Sequence, residues 1–311
     1  MAEVKIKAFQ FDKERVINRL KNILPLDRIR TDDKTLEEYS HDLTEHPPSI
    51  PDAVVFPLEV KEIQDIVRMA NEEGIPIVPA VARTNLGGLC IPTEGGIILD
   101  MTKMRRIHEV NESEMYAVIE PGVTFQDIKD YLEANHPSYI FGYPLSPPWT
   151  SVVCNCLLDG LANLSLRHGT MAEWISSLEV VLPTGELMRT GSWAISNIPF
   201  SRAPIPDLTG LFLSWQGTTG IVTKMAVAIQ PKPKIRQRTF TLCYRLEDNF
   251  EFMRRLSRTM IFDDIGGLSW PTGKMLFGLR GRLERDPDEP EIFLYMDVSA
   301  NTKAEMNAKK E

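Results

Sequence analysis

Residues 53–78 constrain this chain more than any other stretch, because they set a strand, a helix and a second strand in close succession. Ala53-Val54-Val55-Phe56 lies between Pro51 and Pro57 and reads as a short buried strand. Ile63, Ile66, Val67 and Ala70 then recur at helical spacing and line one face. Gly74 follows where left-handed backbone ends a helix at little cost. Ile75–Val78 reads as a strand, and after a loop Ile97-Ile98-Leu99 reads as another. Residues 53–99 therefore run strand, helix, strand, loop, strand.

The flanks follow the same logic. Val16, Leu20, Ile23 and Leu24 predict an amphipathic helix over 13–24, and the polar, Pro-containing residues 26–50 read as loop. Residues 116–120 predict a strand ended by Pro121-Gly122. Thr124 with Asp127 three residues on predicts a capped helix whose apolar face is Phe125, Ile128 and Leu132. Residues 137–152 and 191–209 read as long loops, and the first has the length of a functional one. Leu178–Leu182 and Leu187–Thr190 flank Pro183-Thr184-Gly185-Glu186, a hairpin with its turn chemistry in place. Gly217-Thr218-Thr219-Gly220 leads into a strand over 221–229. The cluster Pro231-Lys232-Pro233 marks a domain boundary. Beyond it, 239–244 predicts a strand, 248–260 a helix, 291–298 a strand, and a last polar helix starts near Asn301. There are no internal repeats.

Several function classes fall away. A net charge of −8 without a basic stripe argues against a nucleic-acid partner, whose phosphates must be neutralised. No apolar run approaches the roughly 20 residues of a membrane span, and the charged N-terminus has no apolar signal core. Four cysteines at this length do not make a disulfide framework, so a reduced, cytoplasmic setting is expected. No G-x-G-x-x-G follows a strand, and there is no Walker A loop. Glu112, not histidine, follows His108-Glu109 three residues on, so zinc-protease spacing fails. Cys154-x-Cys156 has no second ligand pair and reads as two small core residues on a strand or turn; no metal is expected. Trp174 and Trp215 read as core.

Three blocks remain: PDAVVFPLEVKEIQDIVRMANEEGIPIVP at 51–79, TNLGGL…EGGIILDMTKM…VIEPGVTFQDIKDYLEAN at 84–135, and SSLEVVLPTGELMRTG…LTGLFLSWQGTTGIVTKMAVAIQPKPK at 176–234. In order and spacing they resemble the FAD domain shared by glycolate oxidase subunits, D-lactate dehydrogenases, vanillyl-alcohol oxidase and p-cresol methylhydroxylase. The resemblance covers about residues 25–235. It implies an α+β fold: a lead-in over 1–50, then an FAD-binding domain over 51–235, split into subdomains at about 51–112 and 113–235. A partial cap over 236–311 follows. It also implies FAD extended between the subdomains.

By the same resemblance, Val81, Ala82, Arg83, Thr84, Asn85, Leu86, Gly87 and Gly88 approach the pyrophosphate. Ser151, Val152 and Asn155 belong to a second loop along the cofactor, over 151–155. Gly220, Ile221 and Val222 offer main-chain groups to adenine or ribose, and Gly122 shapes the cleft beside Glu120 and Pro121. A diphosphate needs convergent N–H donors, which a nest of successive amides supplies, and Thr84 and Asn85 can add side-chain donors.

The departures from the family pattern carry weight. Ala80-Val81-Ala82-Arg83 stands at the glycine-rich start of the first loop, and Val153-Cys154 at a glycine pair of the second. A β-branched residue is strained at positive φ. Either these residues keep φ negative and the loop takes another path, or the close approach is lost. Arg83 is a bidentate phosphate partner or the occupant of the phosphate's place. Residues 236–311 supply only part of a cap sheet, with open edges, so a second subunit that completes the cap or accepts electrons is an expected partner. The catalytic base is not identifiable; His168 and Tyr143 are weak candidates. Three readings stay open. One is an FAD-binding subunit that dehydrogenates a hydroxy acid or alcohol. Another is a non-catalytic subunit of the same fold without FAD. The third is a self-sufficient oxidase or dehydrogenase of an aromatic alcohol with a compact cap, against which the short 76-residue tail speaks.

Overall fold

The computed structural model describes residues 12–144, 146–276, 278 and 283–311. Most of the charged N-terminal stretch discussed above, residues 1–11, lies outside them. Everything below concerns the described residues.

The first sheet is mostly parallel and is built by the strand–helix–strand stretch. Helix α1 (Lys13–Ile23) is capped by Asp12 and packs Val16 and Leu20 inward. It leads to β1 (Ile29–Arg30), α2 (Asp33–Glu38), β2 (Ala53–Val55), α3 (Val60–Glu73), β3 (Ile77–Ala80) and β4 (Ile97–Asp100). The strands lie in the order β1-β2-β4-β3; β2, β4 and β3 are parallel, and β1 joins β2 antiparallel. As the sequence predicts, Gly74 ends α3 at φ 65. The 26–50 segment is more than loop. Asp32 accepts from Thr35 N–H and starts α2, and Ile29 reaches the core as part of an edge strand.

The second sheet is antiparallel. It uses β5 (Ile107–Asn111), β6 (Tyr116–Ile119), β8 (Ile175–Val181), β9 (Leu187–Arg189) and β10 (Ile221–Ala228), in the order β5-β6-β10-β8-β9. The predicted hairpin is β8–β9, and its turn glycine, Gly185, has φ 81. Helix α4 (Phe125–Asn135) buries Phe125, Ile128 and Leu132 behind a reciprocal Thr124–Asp127 capping box. The 137–152 loop contains β7 (Tyr139–Ile140), which pairs with β11 (Gln230–Pro231). Residues 151–155 are not a loop. Ser151 caps α5 (Val152–Leu157), so Cys154 and Cys156 sit on a helix rather than on a strand or turn. Helix α6 (Ser165–His168) follows. Trp174 is core as expected. Trp215 is 58% exposed, because it lies in the loop ahead of β10 and not on an element facing the core.

A third, antiparallel sheet holds β12 (Ile235–Cys243), β13 (Asp264–Ser269) and β14 (Ile292–Ala300), with β14 central. Helices α7 (Leu246–Ser257), α8 (Trp270–Leu276) and α9 (Lys303–Lys310) intervene or follow. One side of β12 has no partner strand among the described residues.

Two large cores stand behind the first two sheets. Val181 and Ile221 belong to strands of the second sheet, yet they pack into the core of the first. The two layers are joined there.

Candidate functional site

Where the two layers meet, a cleft of about 270 Å3 opens, near the lower end of the roughly 300–1,000 Å3 usual for small-molecule sites. Three stretches distant in sequence line it: residues 79–85 from the end of β3 onward, residues from Ser146 to Leu158 around the start of α5, and residues 216–222 leading into the start of β10. Most of its wall is apolar, with Val81, Leu157, Leu158 and Ile221 contributing.

The structure brings ten of the expected cofactor residues to this cleft: Val81, Ala82, Arg83, Thr84, Asn85, Ser151, Asn155, Gly220, Ile221 and Val222. Leu86, Gly87, Gly88, Gly122 and Val152 do not line it. Leu86 is 81% exposed at the loop tip. Gly88, at φ 71, lets His46 lie against the loop; a Cβ there would come within 2.7 Å of the imidazole. Val152 opens α5 and is buried in the second core. Gly122 is needed for a backbone approach, since a Cβ would sit 2.5 Å from Thr102 O and 2.6 Å from Met104 O. Its neighbour Pro121 does line the cleft. Glu120 is buried and bound by Arg106 Nε at 2.9 Å and by His108 Nε2 at 3.1 Å.

The first loop solves its glycine deficit in an unexpected way. Val81 keeps a negative φ, and the left-handed residue is Arg83, at φ 51. Such a conformation costs a non-glycine residue roughly 1–2 kcal/mol. The guanidinium does not extend into the cleft as a free phosphate partner. Nη1 donates to Glu38 O at 2.7 Å, Nη2 to Glu38 Oε1 at 3.1 Å, and the group lies 3.8 Å above the Tyr39 ring. The Asn85 side chain is also committed to the loop. Its Oδ1 accepts from Gly87 N–H and Leu89 N–H at 3.0 Å each. The N–H groups of Ala82, Arg83 and Thr84 have no acceptor among the described residues. Val153, at an expected glycine position, takes helical backbone in α5 and needs no positive φ.

The cleft passes a test for FAD on its own atoms. Ser146, Thr150 and Asn155 line it, and each has a buried side-chain oxygen with no hydrogen-bond partner among the described residues. Buried polar atoms are nearly always satisfied, so three such atoms on residues of one cleft leave hydrogen-bonding capacity beside it unfilled. With the free amides of the first loop they form a set of neutral donors and acceptors suited to phosphate and hydroxyl oxygens. The apolar walls suit flat rings. Sequence reasoning missed Ser146 and Thr150, although the length of the 137–152 loop signalled function. It also missed Glu38 and Tyr39, which carry no local signal.

The two candidate bases stand apart from the cleft. His168 packs edge-on to Trp174, with centroids 5.6 Å apart, and lines a separate recess with Arg167 and Asp263. Burial lowers its pKa, and the Arg167 charge adds to that. Tyr143 packs against Phe125 at 5.8 Å, and its main chain is bonded to Asn163. The ionisable side chains lining the cleft are Arg83, Cys90 and Cys154. Burial pushes the Cys90 thiol up to about 12 and raises Cys154 as well. Among the described residues, no cluster of His, Cys, Asp and Glu has the geometry of a metal site.

Comparison with known proteins agrees with this geometry. Residues 51–191 match the family described as FAD binding domain. The mitochondrial D-lactate dehydrogenase [cytochrome] of Arabidopsis thaliana is 34% identical over 238 residues, which is 75% of this chain and 40% of that protein. Glycolate oxidase subunit GlcD of Bacillus subtilis is 34% identical over 210 residues, 66% of this chain and 42% of that one. The chain thus spans less than half the length of these relatives. Among solved structures, p-cresol methylhydroxylase superposes with a TM-score of 0.83 at 22% identity, over 96% of this chain and 62% of that one. Residues 51–191 carry an FAD binding domain, and the chain takes the α+β fold of p-cresol methylhydroxylase.

Proposed function

We propose that this chain is the FAD-binding part of an oxidoreductase that dehydrogenates a hydroxy acid or an alcohol and passes the electrons to a partner. The observation that carries this reading is the cleft in which three separated stretches converge, lined by three residues that each hold an unpartnered polar atom. Two relatives are by name a cytochrome-linked D-lactate dehydrogenase and a glycolate oxidase subunit. On this reading residues 51–235 form the cofactor half and 236–311 a partial cap.

Bound FAD would supply the two-electron acceptor for such a dehydrogenation. The chain's own part is to hold and enclose. The amides of residues 82–84, with Ser146, Thr150 and Asn155, would bind the polar middle of the ligand, and the apolar walls would exclude water from it. Neither raised thiol accepts a proton at neutral pH. The substrate's proton must go to a group outside the cleft wall. Neither of this chain's two candidates, His168 and Tyr143, lines the cleft. The unpaired side of β12, with Phe240 and Leu242 exposed, supports a partner that continues the third sheet. Four free thiols fit a reduced, cytoplasmic setting.

The test is reconstitution. The purified chain, alone and with the proteins encoded beside it, is incubated with FAD and desalted, and its flavin absorption is recorded. Anaerobic addition of D-lactate, glycolate or an aromatic alcohol is expected to bleach the bound flavin in the complete assembly. A chain that stays colourless in both settings overturns the proposal and leaves a non-catalytic subunit. That second reading is favoured by the Arg83 guanidinium, which Glu38 and Tyr39 hold instead of a phosphate.

A further inference from the structure

The left-handed turn at Arg83 is held from a distance. Arg83 lies between Glu38 and Tyr39 at the end of α2, and Tyr39 is itself fixed. Its hydroxyl donates to Asp100 Oδ2 at 2.6 Å, and its ring meets Phe56 edge-on, with centroids 6.3 Å apart. Asp100 is the last residue of β4 and almost fully buried. Its other oxygen accepts from Thr102 N–H at 2.8 Å. A continuous path therefore runs from the end of β4 through Asp100 and Tyr39 to the Arg83 guanidinium, and so to the backbone of the loop. Arginine has a fixed planar fork and stacks well on aromatic rings. Held on both sides, it can keep its own backbone at a φ that a free arginine would leave.

We propose that Glu38 and Tyr39 are positioning residues of the nucleotide cleft, clasping Arg83 in the left-handed turn so that this loop works without the glycine usual there. The clasp keeps the amides of Ala82, Arg83 and Thr84 free of protein acceptors beside the cleft. The N-terminal segment 33–39 thereby belongs to the cofactor apparatus, although none of it lines the cleft. The clasp as a device for FAD rests on the function proposed above; its hold on the loop does not.

Two measurements on the full chain separate these claims. The first is hydrogen exchange without ligand at the bonded amides of Gly87, Leu89 and Ile91. Tyr39→Leu is expected to speed exchange there at least tenfold while α3 and β8 keep their protection. The second is FAD affinity by quenching of flavin fluorescence. Tyr39→Leu is expected to weaken FAD at least tenfold. In an Arg83→Gly background, the same change is expected to cost less than threefold, because glycine holds the turn unaided. If Tyr39→Leu does not fold, Tyr39→Phe combined with Glu38→Ala replaces it with the same expectations. Unchanged exchange in the loop overturns the clasp, as does a loss of affinity equally large with glycine at 83. A wild-type chain that binds no FAD overturns the proposed function, while the exchange comparison still decides the clasp.

Discussion

Gly220 shows how little room the cleft leaves for change. A Cβ there would stand 2.8 Å from Val180 Cγ1 and 3.1 Å from Val181 O, and the carbonyl cannot move without disturbing β8. Gly220→Ala is therefore expected to destabilise the chain by roughly 1–3 kcal/mol, read as a lower urea midpoint at unchanged slope. Asp264 offers a test by pH. Burial raises its pKa to about 6, beside Tyr295, Asp297 and Arg238. The native state then holds this proton more tightly than the unfolded chain does. Stability falls as pH rises from about 4 to about 6 and is flat above, as far as this group is concerned. Asp264→Asn should lack that fall. The difference in unfolding free energy between variant and wild type should grow by on the order of 2 kcal/mol across the window, since one pKa unit is worth about 1.4 kcal/mol. A constant difference would show that Asp264 titrates normally.

Helix α4 rests on its cap. Thr124 Oγ1 accepts from Asp127 N–H at 3.1 Å, and Asp127 Oδ2 accepts from Thr124 N–H at 2.8 Å. Thr124→Ala is expected to cost about 1 kcal/mol, measured by denaturant unfolding. This helix was legible because its signals are local: a cap, a partner three residues on and a 3.6-residue apolar rhythm. The same holds for α3 with Gly74 and for the β8–β9 hairpin with its Pro-Thr-Gly-Glu turn. Helix α2 was not legible, since its six residues bury only Leu36. The second loop failed for another reason. The family pattern implied a loop over 151–155, but Ser151 at the N-cap and the run Val152-Val153-Cys154 make a helical turn that packs into both cores. Arg83 marks the limit of local reading. Its strain is visible as a missing glycine, but its partner Glu38 lies 45 residues away.

The order of three sequence blocks pointed to a two-layer flavin fold, and the cleft between the layers collects most of the residues named for it. What the sequence left open was the far side of the third sheet. Phe240 and Leu242 alternate along β12 at 52% and 45% exposure, and the second half of that strand carries no charge. Long, flat apolar edges invite pairing. The chain purified alone is expected to self-associate in size-exclusion chromatography with light scattering, and Phe240→Lys to shift it toward monomer. A wild-type chain that is already monodisperse and monomeric would remove the need for a partner on that edge. Val181 and Ile221 cross from the second sheet into the core of the first, directly beside the cleft. Packing shared across that seam ties the two lobes where the cleft begins, so a smaller side chain at Val181 or Ile221 would loosen both sides of the cleft together.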